Sequence, residues 1–126
     1  MQKNKCNNIL IINDSATLNI LLKLTLEAEG YLIEISETGI DGLAKAGLME
    51  FQLILLDYIL PDIDGLEVCR KLREGKITEH TPIAFLTSLD EADISEKIQD
   101  AGADAYIDPP FKGKLFMDRI KELIKC

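Results

Sequence analysis

Apolar residues in this chain alternate between two kinds of segment: short unbroken runs, and longer stretches in which they recur at helical spacing. The runs are Ile9-Leu10-Ile11-Ile12, Leu32-Ile33-Glu34-Ile35, Leu53-Ile54-Leu55-Leu56, Ile83-Ala84-Phe85-Leu86 and Ala105-Tyr106-Ile107. Each has strand length. The first, third and fourth are apolar throughout, as central parallel strands covered on both faces must be. The second alternates Ile33, Glu34 and Ile35, which fits a strand at an edge. Between the runs, Ile40, Leu43, Ala44, Gly47 and Leu48 follow the spacing of a helix with one buried face. Similar stripes occur at Leu18, Leu21 and Leu22, at Val68, Cys69 and Leu72, at Ile94, Ile98 and Ala101, and at Phe116, Ile120, Leu123 and Ile124. Ser15 is placed to cap the first helix, while Gly30 and Gly102 fall where helices should stop. Strict alternation of five strands and five helices predicts an α/β fold with an open, doubly wound parallel sheet.

In such sheets ligands bind beyond the carboxyl ends of the strands. The residues there are Asn13 and Asp14 after the first run, Asp57 after the third, Thr87 and Ser88 after the fourth, and Tyr106 to Pro110 around the fifth. A carboxylate directly after an apolar strand is not explained by packing, because an unpaired buried charge is costly. Two that converge, Asp14 and Asp57, repel unless a cation lies between them. Oxygen ligands of this kind suit Mg2+, which commonly takes one or two carboxylates, several waters and a substrate phosphate. An aspartate can accept a phosphoryl group as an acyl phosphate, and the Thr87 hydroxyl can donate to a phosphoryl oxygen. Taken singly, Asp14 could be a helix N-terminal acid, Asp57 a loop acid and Thr87 a strand-end residue. It is their joint position at three strand ends that favours a phosphoryl-transfer site.

Composition narrows the partners. A chain of 126 residues, 47% of them hydrophobic, supports one domain with a real core, taken as residues 1–126. No apolar run approaches the roughly 20 residues of a membrane-spanning helix, and residues 1–8 lack a signal-peptide core, so a soluble cytoplasmic protein is expected with no membrane partner. Twenty-two acids against 14 bases, a formal charge of −8, repel polyanions, and direct nucleic-acid binding is not expected. Cys6, Cys69 and Cys126 are too scattered for a zinc or redox motif, and His80 is the single histidine, which weakens any catalytic triad.

Four segments carry a resemblance over nearly the whole chain. They are Ile9-Leu10-Ile11-Ile12-Asn13-Asp14-Ser15; Leu53-Ile54-Leu55-Leu56-Asp57-Tyr58-Ile59-Leu60-Pro61-Asp62-Ile63-Asp64-Gly65-Leu66; Pro82-Ile83-Ala84-Phe85-Leu86-Thr87-Ser88; and Gly102-Ala103-Asp104-Ala105-Tyr106-Ile107 with Pro110-Phe111. Together they resemble the response-regulator receiver domains of two-component and phosphorelay signalling, at the size of the stand-alone chemotaxis regulators. The resemblance implies a flavodoxin-like (βα)5 sheet of strand order 2-1-3-4-5, with Asp57 as phosphoacceptor. It implies Asp14, Asp57 and the Ile59 carbonyl as Mg2+ ligands, and Thr87 with Tyr106 as the pair that reports phosphorylation to the surface. The implied partners are a sensor histidine kinase or phosphotransfer protein, with a downstream output domain or a second copy. Such a domain accepts a phosphoryl group and can shed it, but is not a turnover enzyme.

Two positions depart from the family. The first of its two acids after strand one is here Asn13, which can still reach the cation through a water but lacks the charge. A charge beside a divalent ion is worth on the order of a few kcal/mol at an effective dielectric of about 20, so Mg2+ should bind more weakly. The family's lysine after strand five is here Pro109, which has neither charge nor N–H. Lys112 and Lys114 follow a Pro-Pro turn, and sequence alone leaves open whether either reaches Asp57. The resemblance makes the Pro109-Pro110 bond a candidate for the cis form, which the family often has there and which costs only about 0.5–1 kcal/mol in a free chain.

Two functions remain: a phosphoacceptor with an altered switch, or a pseudo-receiver whose interactions do not depend on phosphorylation. Other classes fit less well. The acid after strand one would repel a flavin phosphate, a dinucleotide site lacks its Gly-rich turn, and an aspartyl phosphatase would want an acid where Ile59 stands. Apolar Ile59 and Leu89, two past Asp57 and Thr87, offer no group to orient a hydrolytic water, so the phosphoryl group should be lost slowly.

Overall fold

The computed structural model describes residues 7–87 and 93–124; Ser88, Leu89, Cys6 and Cys126 lie outside these. Strands β1 (Asn8–Ile12), β2 (Leu32–Ser36), β3 (Leu53–Asp57), β4 (Ile83–Leu86) and β5 (Ala105–Ile107) alternate with helices α1 (Ala16–Glu27), α2 (Gly39–Leu48), α3 (Gly65–Glu74), α4 (Ile94–Asp100) and α5 (Gly113–Leu123). The strands form one parallel sheet in the order β2-β1-β3-β4-β5.

Both faces of the sheet are covered, and the side-chain period of two explains the unbroken apolar runs. Ile9, Ile11, Leu53, Leu55, Ala84 and Leu86 pack with Leu22 and Leu26 of α1 and Phe116, Met117 and Ile120 of α5. Their neighbours Leu10, Ile12, Ile54, Leu56, Ile83 and Phe85 pack with Ala46 of α2, Val68, Cys69 and Leu72 of α3, and Ile94 and Ile98 of α4. Full burial of each large side chain contributes about 1.5–3 kcal/mol, so these two clusters dominate the stability. Strand β2 lies at the edge, with Leu32 and Glu34 exposed and Ile33 and Ile35 half-buried. Ser15 caps α1 by accepting from the Leu18 N–H at 3.2 Å. Gly30 and Gly102 take positive φ, 95° and 101°, after α1 and α4.

Two helix faces differ from the expected ones. In α2 the residues turned inward are Gly39, Gly42, Leu43 and Ala46, while Ile40 and Leu48 are 63% and 82% exposed and Ala44 and Gly47 are also exposed. The helix lies too close to the sheet for large side chains. A Cβ at Gly42 would meet Ile12 Cδ1 at 2.5 Å, and one at Gly39 would meet Ile63 Cγ1 at 2.6 Å. In α1 the inner line is Leu18, Asn19, Leu22 and Leu26, and Leu21 is exposed along with Ile20 and Leu24. Gly42→Ala should therefore destabilise the domain by about 1–3 kcal/mol through overpacking, whereas Leu48→Ser should stay within about 0.5 kcal/mol. Urea unfolding measures both, and the reverse ranking would contradict this packing.

Candidate phosphoryl-transfer site

Parallel strands deliver their carboxyl ends to one edge of the sheet. Asp57 is the last residue of β3 and pairs in register with Leu86, the last of β4. The next residue, Thr87, is buried, and its N–H donates to the Ile107 carbonyl at 3.1 Å, which fastens the end of β4 to β5. Asp57, Ile59 and Thr87 line one cleft of about 230 Å3 together with Tyr58, Leu86, Pro109 and Phe111. Phe111 was not expected there, and no local spacing would have found it; Leu86 enters as the neighbour of Thr87 and the register partner of Asp57.

Asp57 is half-buried, and burial pushes its pKa upward. The Ile59 N–H donates to its carboxylate and pulls the value back, the charge of Asp14 pushes it up again, and the Tyr58 N–H pulls it down. Asp14 is exposed at the end of β1, near enough to Asp57 for the two carboxylates to repel.

The loop after Asp57 is held at several points. The Gly65 N–H donates to the Tyr58 carbonyl at 3.1 Å, and a Cβ at Gly65 would collide with the Asp57 carbonyl and come within 2.7 Å of that of Tyr58. Asp64 caps α3 by accepting from the Leu66 N–H at 2.8 Å. Asp62 reaches across to α2, where its two oxygens accept the Gly39 and Ile40 N–H groups at 2.8 Å each, bonds that lower its pKa. Its role was not visible in the sequence, because the helix it serves begins 23 residues earlier.

Asn13 is buried, and its Nδ2 donates to Asn19 Oδ1 at 2.9 Å. Its nitrogen is thereby committed to α1, which leaves only the amide oxygen for the water-mediated contact expected from the sequence. Tyr106 stands apart from the cleft, 40% exposed, beside a separate hollow of about 520 Å3 whose lining includes Lys112, Lys114, Leu115 and Arg119. Lys114 pairs with Asp118 at 2.9 Å. Among the described residues, no lysine or arginine lines the Asp57 cleft; Pro109 does. The Pro109-Pro110 bond is cis.

The donor set fits a hard divalent cation. Two carboxylates whose charges oppose each other, beside a cleft lined by Ile59, are of the oxygen-donor type that suits Mg2+. Among the described residues no three His, Cys, Asp or Glu side chains gather into a metal cage. Such a cation would draw the rest of its shell from water and phosphate.

The chain matches the family model "Response regulator receiver domain" over residues 9–121. It is 38% identical to the transcriptional regulatory protein ResD of Bacillus subtilis (strain 168), over 99% of this chain and 51% of that protein. It is also 38% identical to the DNA-binding dual master transcriptional regulator RpaA of Synechocystis, over 93% of this chain and 48% of that one. The chain thus spans about half the length of these curated relatives. Among solved structures, a CheY-like receiver domain protein from Methanospirillum hungatei JF-1 superposes with a TM-score of 0.85 at 34% identity, covering 94% of this chain and 93% of that one. The receiver domain of the sensor histidine kinase PA1611 from Pseudomonas aeruginosa PAO1, which holds a magnesium ion in its active-site cleft, superposes with a TM-score of 0.85 at 25% identity, over 93% and 96% of the two chains. No helix among the described residues is long and apolar enough to cross a membrane. The family model spans most of the sequence and the sheet has the receiver strand order, so the chain belongs to the response-regulator receiver domains of two-component signalling.

Proposed function

We propose that Asp57 accepts a phosphoryl group from the phosphohistidine of a sensor histidine kinase or phosphotransfer protein, through a switch altered at Asn13 and Pro109. One observation carries this reading: Asp57 ends a buried strand in a cleft it shares with Thr87, although burial and Asp14 both oppose its charge. Packing alone would not keep an acid there.

The Ile59 and Tyr58 N–H groups hold the carboxylate in place. One Asp57 oxygen attacks phosphorus; the O–P bond forms as the P–N bond to the histidine breaks, and the imidazole leaves. Thr87 donates its hydroxyl to a phosphoryl oxygen, while Asp14, Asp57 and the Ile59 carbonyl would hold Mg2+. When bound, Mg2+ offsets the negative charge gathered on the phosphoryl oxygens. The hydroxyl of Thr87 would turn toward the phosphoryl group on phosphorylation, and Tyr106, now outward, would answer it.

Pro109 and Phe111 in the cleft favour the second reading, a pseudo-receiver, because among the described residues its lining offers no cation beyond the metal. A beryllofluoride titration with Mg2+ separates the two. Saturable shifts in the amides around Asp57, Thr87 and Tyr106 support the acceptor, and silence supports the pseudo-receiver. The name of RpaA states DNA binding for that protein; the formal charge of −8 on this chain speaks against its taking that role itself. An output domain or a second copy is the expected downstream partner.

Ile59 is 69% exposed and lines the cleft, so solvent reaches the acceptor beside a side chain that cannot orient it. Phosphorylated Asp57 should be long-lived, and Ile59→Asn, which supplies an amide, should shed label severalfold faster. An equal or slower loss in the variant contradicts this account of lifetime.

A further inference from the structure

Asn13, at the end of β1, and Asn19, on the inner line of α1, are 2% and 3% exposed. They are joined by two hydrogen bonds of opposite sense. Asn13 Nδ2 donates to Asn19 Oδ1 at 2.9 Å, and Asn19 Nδ2 donates to the Asn13 carbonyl at 2.8 Å. Both ends of the Asn19 amide are used, so it cannot turn over without setting oxygen against oxygen at the backbone. The Asn13 amide cannot turn either, because its oxygen would then face Asn19 Oδ1. Buried amides hold to such arrangements because an unpaired polar group in the interior is costly.

The ring thus decides which atom of residue 13 is committed to α1: the nitrogen. The oxygen is the atom of that amide not committed to α1, on the residue next to Asp14. It also decides which residue type position 13 accepts. A carboxylate there would place an oxygen where Nδ2 now donates, directly against Asn19 Oδ1.

We infer that Asn19 is a positioning residue for the divalent-cation site: it presents the amide oxygen of Asn13 to that site and makes an acid at position 13 unfavourable. This rests on the cation site proposed above. On this reading an asparagine at 13 and an acceptor at 19 belong together, and placing an acid at 13 alone does not give a three-carboxylate site. An acid at 13 needs a donor at 19 in place of the amide oxygen. Serine supplies one, since its hydroxyl can donate to a carboxylate.

The test is the Mg2+ affinity of four proteins by titration calorimetry: wild type, Asn13→Asp, Asn19→Ser and the double variant. Asn19→Ser should weaken binding modestly when residue 13 is Asn, because one hydroxyl replaces the two bonds of the Asn19 amide and holds residue 13 less firmly, and strengthen binding when residue 13 is Asp. A residue with a purely structural role would act in the same direction in both backgrounds. The departure from additivity should be about fivefold or more. Effects that multiply independently, or of one sign, overturn the inference while leaving the cation site standing. Absence of Mg2+ binding by the wild type overturns the cation site and the inference with it. Should a variant fail to fold, the wild type is decisive by NMR. The Asn13 side-chain NH2 protons should exchange with solvent far more slowly than those of exposed Gln99. Comparable exchange overturns the pairing on which the inference stands.

Discussion

Asp57→Asn is expected to reduce Mg2+-dependent labelling by acetyl phosphate to background and, in metal-free buffer at neutral pH, to raise the stability of the domain. The first effect follows because an amide is a poor nucleophile toward phosphorus, while Asn can still accept from the Ile59 and Tyr58 N–H groups through its oxygen. The second follows from the direction of the pKa shift. Burial, with the charge of Asp14 as a smaller contribution, raises the Asp57 pKa above its ordinary value in the folded state. Between the unfolded and folded values the native state binds more protons, so stability falls as pH rises through that window. The wild type carries the full penalty above it. The advantage of the amide variant should then be present at neutral pH and vanish as pH falls to the ordinary aspartate value of about 3.9. Mg2+ should raise the melting temperature of the wild type more than that of the variant, because it binds the native site. Thermal unfolding with chelator and with Mg2+ checks both. A variant less stable than wild type in chelator would mean that Asp57 gains more from its backbone donors than it loses by burial.

Pro109→Lys should strengthen the response to beryllofluoride at Tyr106. The lining of the Asp57 cleft contains Pro109 and Phe111 but no described lysine or arginine, whereas Lys112 and Lys114 border the hollow beside Tyr106 and Lys114 is already paired with Asp118. A phosphoryl group on Asp57 adds charge next to Asp14, and the hydroxyl of Thr87 offers only a neutral hydrogen bond. A lysine at 109 would pair more strongly with the phosphorylated acceptor than with the free carboxylate. Contacts of that kind are what couple a ligand to a conformational change. The expected gain in apparent beryllofluoride affinity is on the order of tenfold, with larger shifts around Tyr106, while Lys112→Ala should leave the wild-type response unchanged. Loss of the response in Lys112→Ala would instead mean that Lys112 swings into the cleft on activation.

The sheet was legible in the sequence because its central strands are buried on both faces, and the runs at 9–12, 53–56 and 83–86 have no polar interruption. The edge position of β2 was legible from Glu34 alone. The α2 face was not, since hydrophobic spacing assumes that the largest apolar residues turn inward. Here the helix approaches Ile12 and Ile63 so closely that glycine and alanine must, and Ile40 and Leu48 are left outside. The phase of α1 was obscured for the opposite reason. Leucine or isoleucine stands at positions 18, 20, 21, 22, 24 and 26, and the orientation is marked by the polar Asn19 paired with Asn13. An asparagine on the inner side of an otherwise apolar helix was the available signal. At the site, Asp57, Thr87 and Asp14 were recognisable as residues following strands. Asp62 and Phe111 act across the fold, and no spacing in the sequence reports such contacts.

If Asp57 takes the phosphoryl group, as proposed, the label must sit on that residue. Wild-type protein incubated with acetyl phosphate and Mg2+ should, by peptide mass spectrometry, gain one phosphoryl group in the peptide containing Asp57, labile to hydroxylamine as an acyl phosphate is. The gain should be absent when Mg2+ is chelated. Label on a different residue, or none at Asp57 under conditions where Mg2+ binding is demonstrated, would contradict it.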